Sequence, residues 1–281
     1  MAIDYKALKN GGFMRQKQKD NFSLRLKVVG GNMTTAQLKT VIDVADAYGG
    51  GYVHFTSRQG LEIPFIKLAD VEAVKTSLKE GGVDTGVCGP RVRTVTACQG
   101  SDICPSGCIE TTSLAGGISE RYFGRQLPHK FKFGITGCQN NCLKAEENDL
   151  GVKGGLAVTW LKDSCTLCGV CLKACREKAL TLTEDEIILD AQKCNHCGRC
   201  AKVCPSDAWR AQPCYLISFG GLFGNRIATG RQLKRAVTTV EEIYSLSDAA
   251  LDFFDAYGKP SERFRLTIER AGWEAFSRKV G

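Results

Sequence analysis

Apolar and polar residues alternate from Phe22 to Val29, which predicts a half-buried strand, and Gly30-Gly31-Asn32 predicts a turn after it. Past the turn the period changes. Leu38, Val41, Ile42 and Ala45 fall on one face of a predicted helix that Thr34 or Thr35 caps and Gly49-Gly50-Gly51 ends. Tyr52 to Thr56 and Leu61 to Ile66 read as strands and Asp70 to Lys79 as a helix. This βαββα order predicts an α+β fold with helices on one face of a sheet. Further on, Val92 to Thr96 and Phe131 to Ile135 read as strands that each run into a cysteine motif, and Gly154 to Leu161 is another strand. Strand character resumes at Tyr215 to Phe219, ahead of a glycine-rich loop, Gly220-Gly221-Leu222-Phe223-Gly224. Thr239 to Tyr257 has a long helical pattern, Gly258-Lys259-Pro260 breaks it, and two short helices close the chain.

A length of 281 residues allows two domains and a small insert. Apolar patterning on both sides of 162–210 predicts one host domain, 87–161 with 211–281, interrupted by a module at 162–210 and preceded by an N-terminal unit at 1–86. With 43% hydrophobic and 24% charged residues the chain reads as globular. No apolar run approaches the roughly 18 residues of a membrane helix, and the first residues lack the apolar stretch of a secretory signal. The expectation is a cytoplasmic protein without a membrane span. Fifteen cysteines in a reducing compartment then argue for metal or redox work rather than disulfides. The formal charge of +8 is spread out, with no basic tract and no zinc-finger or RNP pattern. That argues against nucleic acid and for an anionic cofactor or substrate.

Eight of the fifteen cysteines lie between Cys165 and Cys204, in two copies of C-x2-C-x2-C-x3-C. Three closely spaced thiolates suit one corner of a [4Fe–4S] cubane. A pair of structural zinc sites is the alternative, but zinc sites prefer two-and-two spacing with a longer gap. The module resembles bacterial two-cluster ferredoxins, apart from Arg176 where a proline is common. In those proteins the fourth ligand comes from the other run. The resemblance therefore implies Cys165, Cys168, Cys171 and Cys204 for one cluster, and Cys194, Cys197, Cys200 and Cys175 for the other. Lys173, Arg176, Lys178, Arg199 and Lys202 give the module a basic rim suited to an acidic donor such as a ferredoxin.

Outside the module stand a C-x5-C, Cys98 to Cys104, and a C-x3-C, Cys138 to Cys142, enough thiolates for a third cubane or a zinc site. Cys88, Cys108 and Cys214 are left over and read as small buried hydrophobes. The C-x5-C and C-x3-C pair resembles the sirohaem and [4Fe–4S] site of the sulfite and nitrite reductase family. Thr56-Ser57-Arg58-Gln59, Leu127-Pro128-His129-Lys130-Phe131-Lys132, the loop at 220–224 and the tail Glu262-Arg263-Phe264 with Ile268 to Trp273 resemble further motifs of that family. A ferredoxin module inserted after the C-x3-C points to the small dissimilatory or anaerobic type.

That resemblance implies the following. Cys98, Cys104, Cys138 and Cys142 ligate the third [4Fe–4S] cluster, and Cys142 also bridges to the sirohaem iron. Arg58, Arg93, Lys130 and Lys132 bind the substrate anion, with Arg91 competing for the place of Arg93. Lys130 and Lys132 alternate on a predicted strand and so share a face, while Phe131 and Phe133 take the other. Arg121, Arg125, Arg226 and Arg231 are candidates to pair with the sirohaem carboxylates, and Gly220 and Gly221 for the late loop beside the cofactor. His54 reads as structural, and His196, inside a cluster run, as tuning its neighbourhood rather than ligating. The implied reaction is six-electron reduction of sulfite to sulfide. Nitrite reduction to ammonia on the same cofactors and a non-catalytic electron-transfer role are the alternatives. No P-loop or dinucleotide fingerprint occurs, so an external ferredoxin or reductase subunit is expected as donor. Only one copy of each motif occurs where better-known members have two, which predicts a homodimer or a dimer of dimers, against a heteromer or a monomer.

Overall fold

A computed structural model of the chain describes residues 3–281. A short helix α1 (Tyr5–Asn10) and strand β1 (Phe13–Arg15) precede the first strand read from the sequence. That strand, β2 (Asn21–Arg25), is shorter than its alternation suggested, because Val29–Gly31 turns as a 3-10 segment with Gly30 at φ 61°. Helix α2 (Thr35–Tyr48) follows, and Thr34 and Gln37 form a reciprocal capping box at its start. Strands β3 (His54–Phe55) and β4 (Leu61–Lys67) and helix α3 (Val71–Glu80) complete this half. The sheet order is β1-β2-β4-β3, antiparallel throughout.

The buried stripe of α2 differs from the expected one. Leu38 and Ile42 are exposed, and Val41, Val44 and Ala45 carry the contact with Tyr48 partly buried. The spacing i, i+3, i+4, i+7 still holds, rotated so that a neighbouring face of the same width meets the sheet.

The second sheet has the order β11-β10-β7-β6-β5. Strands β5 (Thr96–Ala97), β6 (Phe133–Thr136) and β7 (Leu150–Trp160) run parallel to one another. A helix the sequence reading did not identify, α4 (Thr112–Tyr122), lies between β5 and β6 in the chain. Its apolar positions Leu114, Ala115, Ile118 and Tyr122 are buried at helical spacing, diluted by Gly116-Gly117.

Beyond β7 come α5 (Val170–Ala174), the hairpin β8 (Leu180–Leu182) and β9 (Ile187–Leu189), and α6 (Arg199–Lys202). The chain then returns as β10 (Trp209–Phe219), antiparallel to β7 from Trp209 opposite Trp160 to Phe219 opposite Leu150. The segment between the two tryptophans thus leaves and re-enters the sheet at one point. It has its own small core of Cys171, Leu180, Ile187 and Trp209. Strand β11 (Arg231–Gln232) and helices α7 (Val240–Tyr257), α8 (Phe264–Ala271) and α9 (Trp273–Val280) finish the chain. They bury Phe254, Phe264 and Phe276 against Phe131, Phe133 and Phe219. The architecture is α+β, two sheets each covered by helices. No helix among the described residues is long and apolar enough to cross a membrane.

Candidate functional site

Where the N-terminal sheet meets the larger one, a cleft of about 260 Å³ opens, lined by Arg25, Arg58, Arg93, Lys130 and Lys132 together with Thr56, Ser57, Glu62 and Thr94. These cations come from four separate stretches of chain. Arg58 follows β3 in a tight turn where Gln59 holds φ 56°. The Gln59 side chain is clamped to Ala97 by two hydrogen bonds, accepting from its N–H at 2.9 Å and donating to its carbonyl at 2.8 Å. The turn is thereby tied to β5. Arg58 itself donates to Asn148 Oδ1 at 2.8 Å and to the Thr94 carbonyl at 3.2 Å. Arg93 donates to the carbonyls of Val87 and Gly89, and its Nε is buried without a partner. Arg91, its rival in the sequence, bonds the Gly124 carbonyl and does not line the cleft. Phe131 and Phe133 are fully buried, which leaves Lys130 and Lys132 on the cleft side.

Crowding like charges out of water lowers their pKa values. Burial, opposed by Asp149 and assisted by Arg93 and Arg263, brings Arg58 down to about 10. Burial first, then Arg58 and Arg263, bring Lys132 down to about 8, with Asp149 again opposing. Lys130 is lowered by burial and by Arg263 and Arg93, and Arg93 chiefly by burial. Such a cleft is short of negative charge and suits a small oxyanion.

Cys175, Cys194, Cys197 and Cys200 line one small cavity. Cys165, Cys171, Cys175, Cys200 and Cys204 all sit in or against the small core of the inserted segment, and Cys168 is exposed. The two runs fold alike. Leu167 and His196 both have positive φ, as do Gly169 and Gly198, and Lys178 and Asp207. Cys165 and Cys194 each accept a backbone N–H from two residues on, at 3.4 Å, and Cys175 and Cys204 each from four residues on, at 3.3 Å. Amide hydrogen bonds to cluster-ligating sulfur tune a cluster's potential, so the donor set fits iron–sulfur ligation.

Parallel strands β5 and β6 deliver Cys98 and Cys138 side by side. Cys98 Sγ accepts the Gly137 N–H at 3.0 Å, and Cys142 is exposed. Cys88, Cys108 and Cys214 are buried, as read from the sequence. Cys108 lies within electrostatic range of both Cys138 and Cys197, and burial raises its pKa. The Leu156 N–H donates to the His196 carbonyl at 2.7 Å and Gln139 donates to the Gly154 carbonyl at 3.1 Å, so β7 links the second cysteine run to the C-x3-C loop.

The remaining candidates do not line the cleft. Arg121 stacks on the Tyr244 ring at 4.0 Å, and Arg125 pairs with Asp252 and Asp255 on α7. Arg226 is on the exposed loop, Arg231 covers Trp273, and His54 is exposed. Gly220 and Gly221 act on the backbone beneath the cleft. The Gly220 N–H donates to the Asp149 carbonyl, and a Cβ at Gly221 would lie 2.2 Å from the Glu146 carbonyl and 2.3 Å from that of Asn148. Sequence reading missed Arg25, which pairs with Glu62 at 2.6 Å at the cleft wall, and it noted Arg263 only as part of a motif. An arginine in an alternating strand carries no signal of its own.

Residues 88–281 match the family described as nitrite and sulphite reductase 4Fe-4S domain, and residues 14–81 match the nitrite/sulfite reductase ferredoxin-like half domain. The chain belongs to the nitrite and sulphite reductase family. It is 32% identical over 254 residues to the coenzyme F420-dependent sulfite reductase of Methanocaldococcus jannaschii, covering 89% of this chain and 40% of that one. It is 29% identical over 243 residues to one of the polypeptides of the anaerobic sulfite reductase of Salmonella typhimurium, covering 79% of this chain and 72% of that one. The nitrite and sulphite reductase fold is also seen in dissimilatory sulfite reductase I, at a TM-score of 0.75 and 19% identity over 93% of this chain and 69% of the other. Membership implies sirohaem and a [4Fe–4S] cluster.

Proposed function

We propose that the chain reduces sulfite to sulfide, with six electrons entering through the inserted clusters. The observation that carries this reading is the convergence of Arg58, Arg93, Lys130 and Lys132 on one cleft beside the strands that present Cys98 and Cys138. A non-catalytic electron carrier has no use for such a cleft. The Nε of Arg93, buried without a partner on a residue that lines the cleft, fits an anionic group there. Sirohaem, when bound, supplies the iron at which the sulfur is reduced, and Cys98, Cys104, Cys138 and Cys142 would hold the adjoining cubane.

The chain's own residues do the rest. Arg58 and Arg93, with the lysines, neutralise the oxyanion and orient its oxygens. Each oxygen that leaves as water needs two protons. Lys132, brought to about 8, is poised to hand over a proton near neutral pH, and its ammonium form is restored from solvent. We assign Cys175, Cys194, Cys197 and Cys200 to the cluster nearer the C-x3-C motif, with Cys108 between. Cys165, Cys168, Cys171 and Cys204 then form the outer cluster, whose exposed Cys168 marks the entry side for an acidic donor protein. We read 1–86, 87–161 with 211–281, and 162–210 as three units, and the assembly as a homodimer in the cytoplasm.

Anaerobic purification with iron analysis and an optical spectrum tests this. Three cubanes and one haem require about thirteen iron atoms per chain. A count near eight without haem bands overturns the proposal. Nitrite is a second small anion suited to the same cations, and relative kcat/KM for the two anions decides the substrate.

A further inference from the structure

Arg58 and Lys132 approach the cleft from different sheets, yet both are anchored to one dipeptide, Asn148-Asp149. Asn148 is buried, and its Nδ2 donates to the carbonyls of Lys144 and Ala145, so its Oδ1 is turned toward Arg58 Nη1 at 2.8 Å. Asp149 is the one fully buried carboxylate among the described residues, at 0% exposure. Its Oδ2 accepts the backbone N–H of Lys132 at 2.9 Å, and both oxygens accept from Arg263 Nη2, at 3.0 and 3.1 Å. Arg263 is the residue before α8, with its side chain 12% exposed. The turn beneath is closely covered. A Cβ at Gly134 would stand 2.2 Å from Asn148 Nδ2, and Gly221 shuts the other side as described. Through Asn141, whose Oδ1 accepts the Ala145 N–H and whose Nδ2 donates to Glu146, the same turn is tied to the C-x3-C loop.

We propose that Asn148, Asp149 and Arg263 are positioning residues for the anion cleft: a buried platform that fixes Arg58 and Lys132 relative to the C-x3-C loop and sets the charge of Lys132 by one carboxylate and one guanidinium. The inference rests on the cleft's being the reaction site. A buried ion pair that merely braced β7 against α8 would be worth little as stabilisation, since desolvation offsets much of its attraction. Here both partners also face a third ionisable group. The groups around the Lys132 ammonium are Arg58 from the turn after β3, Asp149 from the start of β7, Arg263 from the start of α8 and Lys130 from its own stretch, and the Phe223 carbonyl stands at 3.5 Å. Asp149 favours the protonated amine and Arg263 opposes it. Burial pushes the Asp149 carboxyl itself upward, against the pull of Arg263 and the Lys132 N–H.

The test reads Lys132 directly in the cofactor-loaded protein by competitive acetylation across pH, with peptide mass spectrometry. The wild-type midpoint is expected below the ordinary lysine value, as burial and the neighbouring guanidinium groups require. Asp149→Asn keeps the shape and an acceptor for the Lys132 N–H but removes the charge, and should lower the midpoint by about one pH unit. Arg263→Gln should raise it by about as much, whereas Arg263→Lys should leave it near the wild-type value. The alkaline limb of kcat/KM for sulfite should move the same way as the midpoint in each variant. If Asp149→Asn does not fold, the two Arg263 variants carry the comparison alone. Midpoints that stay put, or that move together in Asp149→Asn and Arg263→Gln, overturn the platform's electrostatic role. Variant midpoints displaced as expected, beside a wild-type protein that turns over no sulfite, would overturn the functional reading and leave the platform standing.

Discussion

Replacing Arg58 with methionine separates a side chain kept for chemistry from one kept for stability. The guanidinium is held at a pKa of about 10 against an ordinary 12.5, chiefly by burial. At about 1.4 kcal/mol per unit, keeping it charged costs the fold roughly 3 kcal/mol. The sign is that of a base depressed in the folded state. The penalty is fully present at pH 7 and is relieved only as pH rises through about 10. Arg58→Met removes that penalty and also leaves Asn148 Oδ1 and the Thr94 carbonyl without this donor, at about 1–3 kcal/mol for each acceptor left unsatisfied. The terms nearly offset, so the melting temperature should stay within about 5 °C of wild type. Function has no such offset. A charge-assisted hydrogen bond to the anion is worth about 1.5–3 kcal/mol, and its loss should cut kcat/KM for sulfite roughly 10- to 150-fold. The assay is steady-state sulfite reduction with an artificial donor, beside thermal unfolding and iron analysis of the same preparation. A fall of more than about 10 °C, with kcat/KM of the folded fraction within threefold of wild type, would refute the assignment and make Arg58 a structural residue.

Lys130→Ala should lower sulfite turnover about tenfold or more with iron content unchanged, and unchanged turnover would remove Lys130 from the anion site. Gly221→Ala drives a Cβ into the carbonyls of Glu146 and Asn148, so unfolding should come several degrees earlier and sulfite KM should rise; a variant as stable as wild type would show that the loop yields. Cys175→Ala should cost about four iron atoms while the other clusters stay, and a loss of eight would show that the two ferredoxin sites form only together. The donor's rate of reduction should fall as salt rises, given the cations of the inserted segment, and a rate flat across ionic strength would place donor docking elsewhere.

The twofold cysteine run could be read before any fold was known because its spacing is local. Three thiolates within seven residues are brought together by the backbone alone, and the loop geometry repeats between Leu167 and His196 for the same reason. The motifs holding Arg58, Lys130 and Lys132 were likewise visible, since each is a short run with its own strand or turn. Periodicity misplaced the inner face of α2, because a helix with apolar residues at 38, 41, 42, 44, 45 and 48 can settle at more than one rotation, and the sheet beneath chose Val44 over Leu38 and Ile42. Helix α4 was hidden by its two glycines, which count against a helix in sequence. Gly117 leaves room for Tyr244: a Cβ there would meet its hydroxyl, and Tyr244 arrives from α7.

The sequence by itself determined the spacing of the cysteine runs and the types of charge at the candidate site, because local spacing and strand alternation fix which neighbouring side chains can act together. Only the tertiary structure decided which cations converge. Arg91 and Arg93 are two residues apart beside the same stretch of Phe131, yet only Arg93 lines the cleft. Arg25 and Glu62 line the cleft while Asn148, Asp149 and Arg263 are bonded together behind it, from positions up to 238 residues apart. Their roles depend on burial and on one another's charge, and neither exists until the two sheets have closed around them.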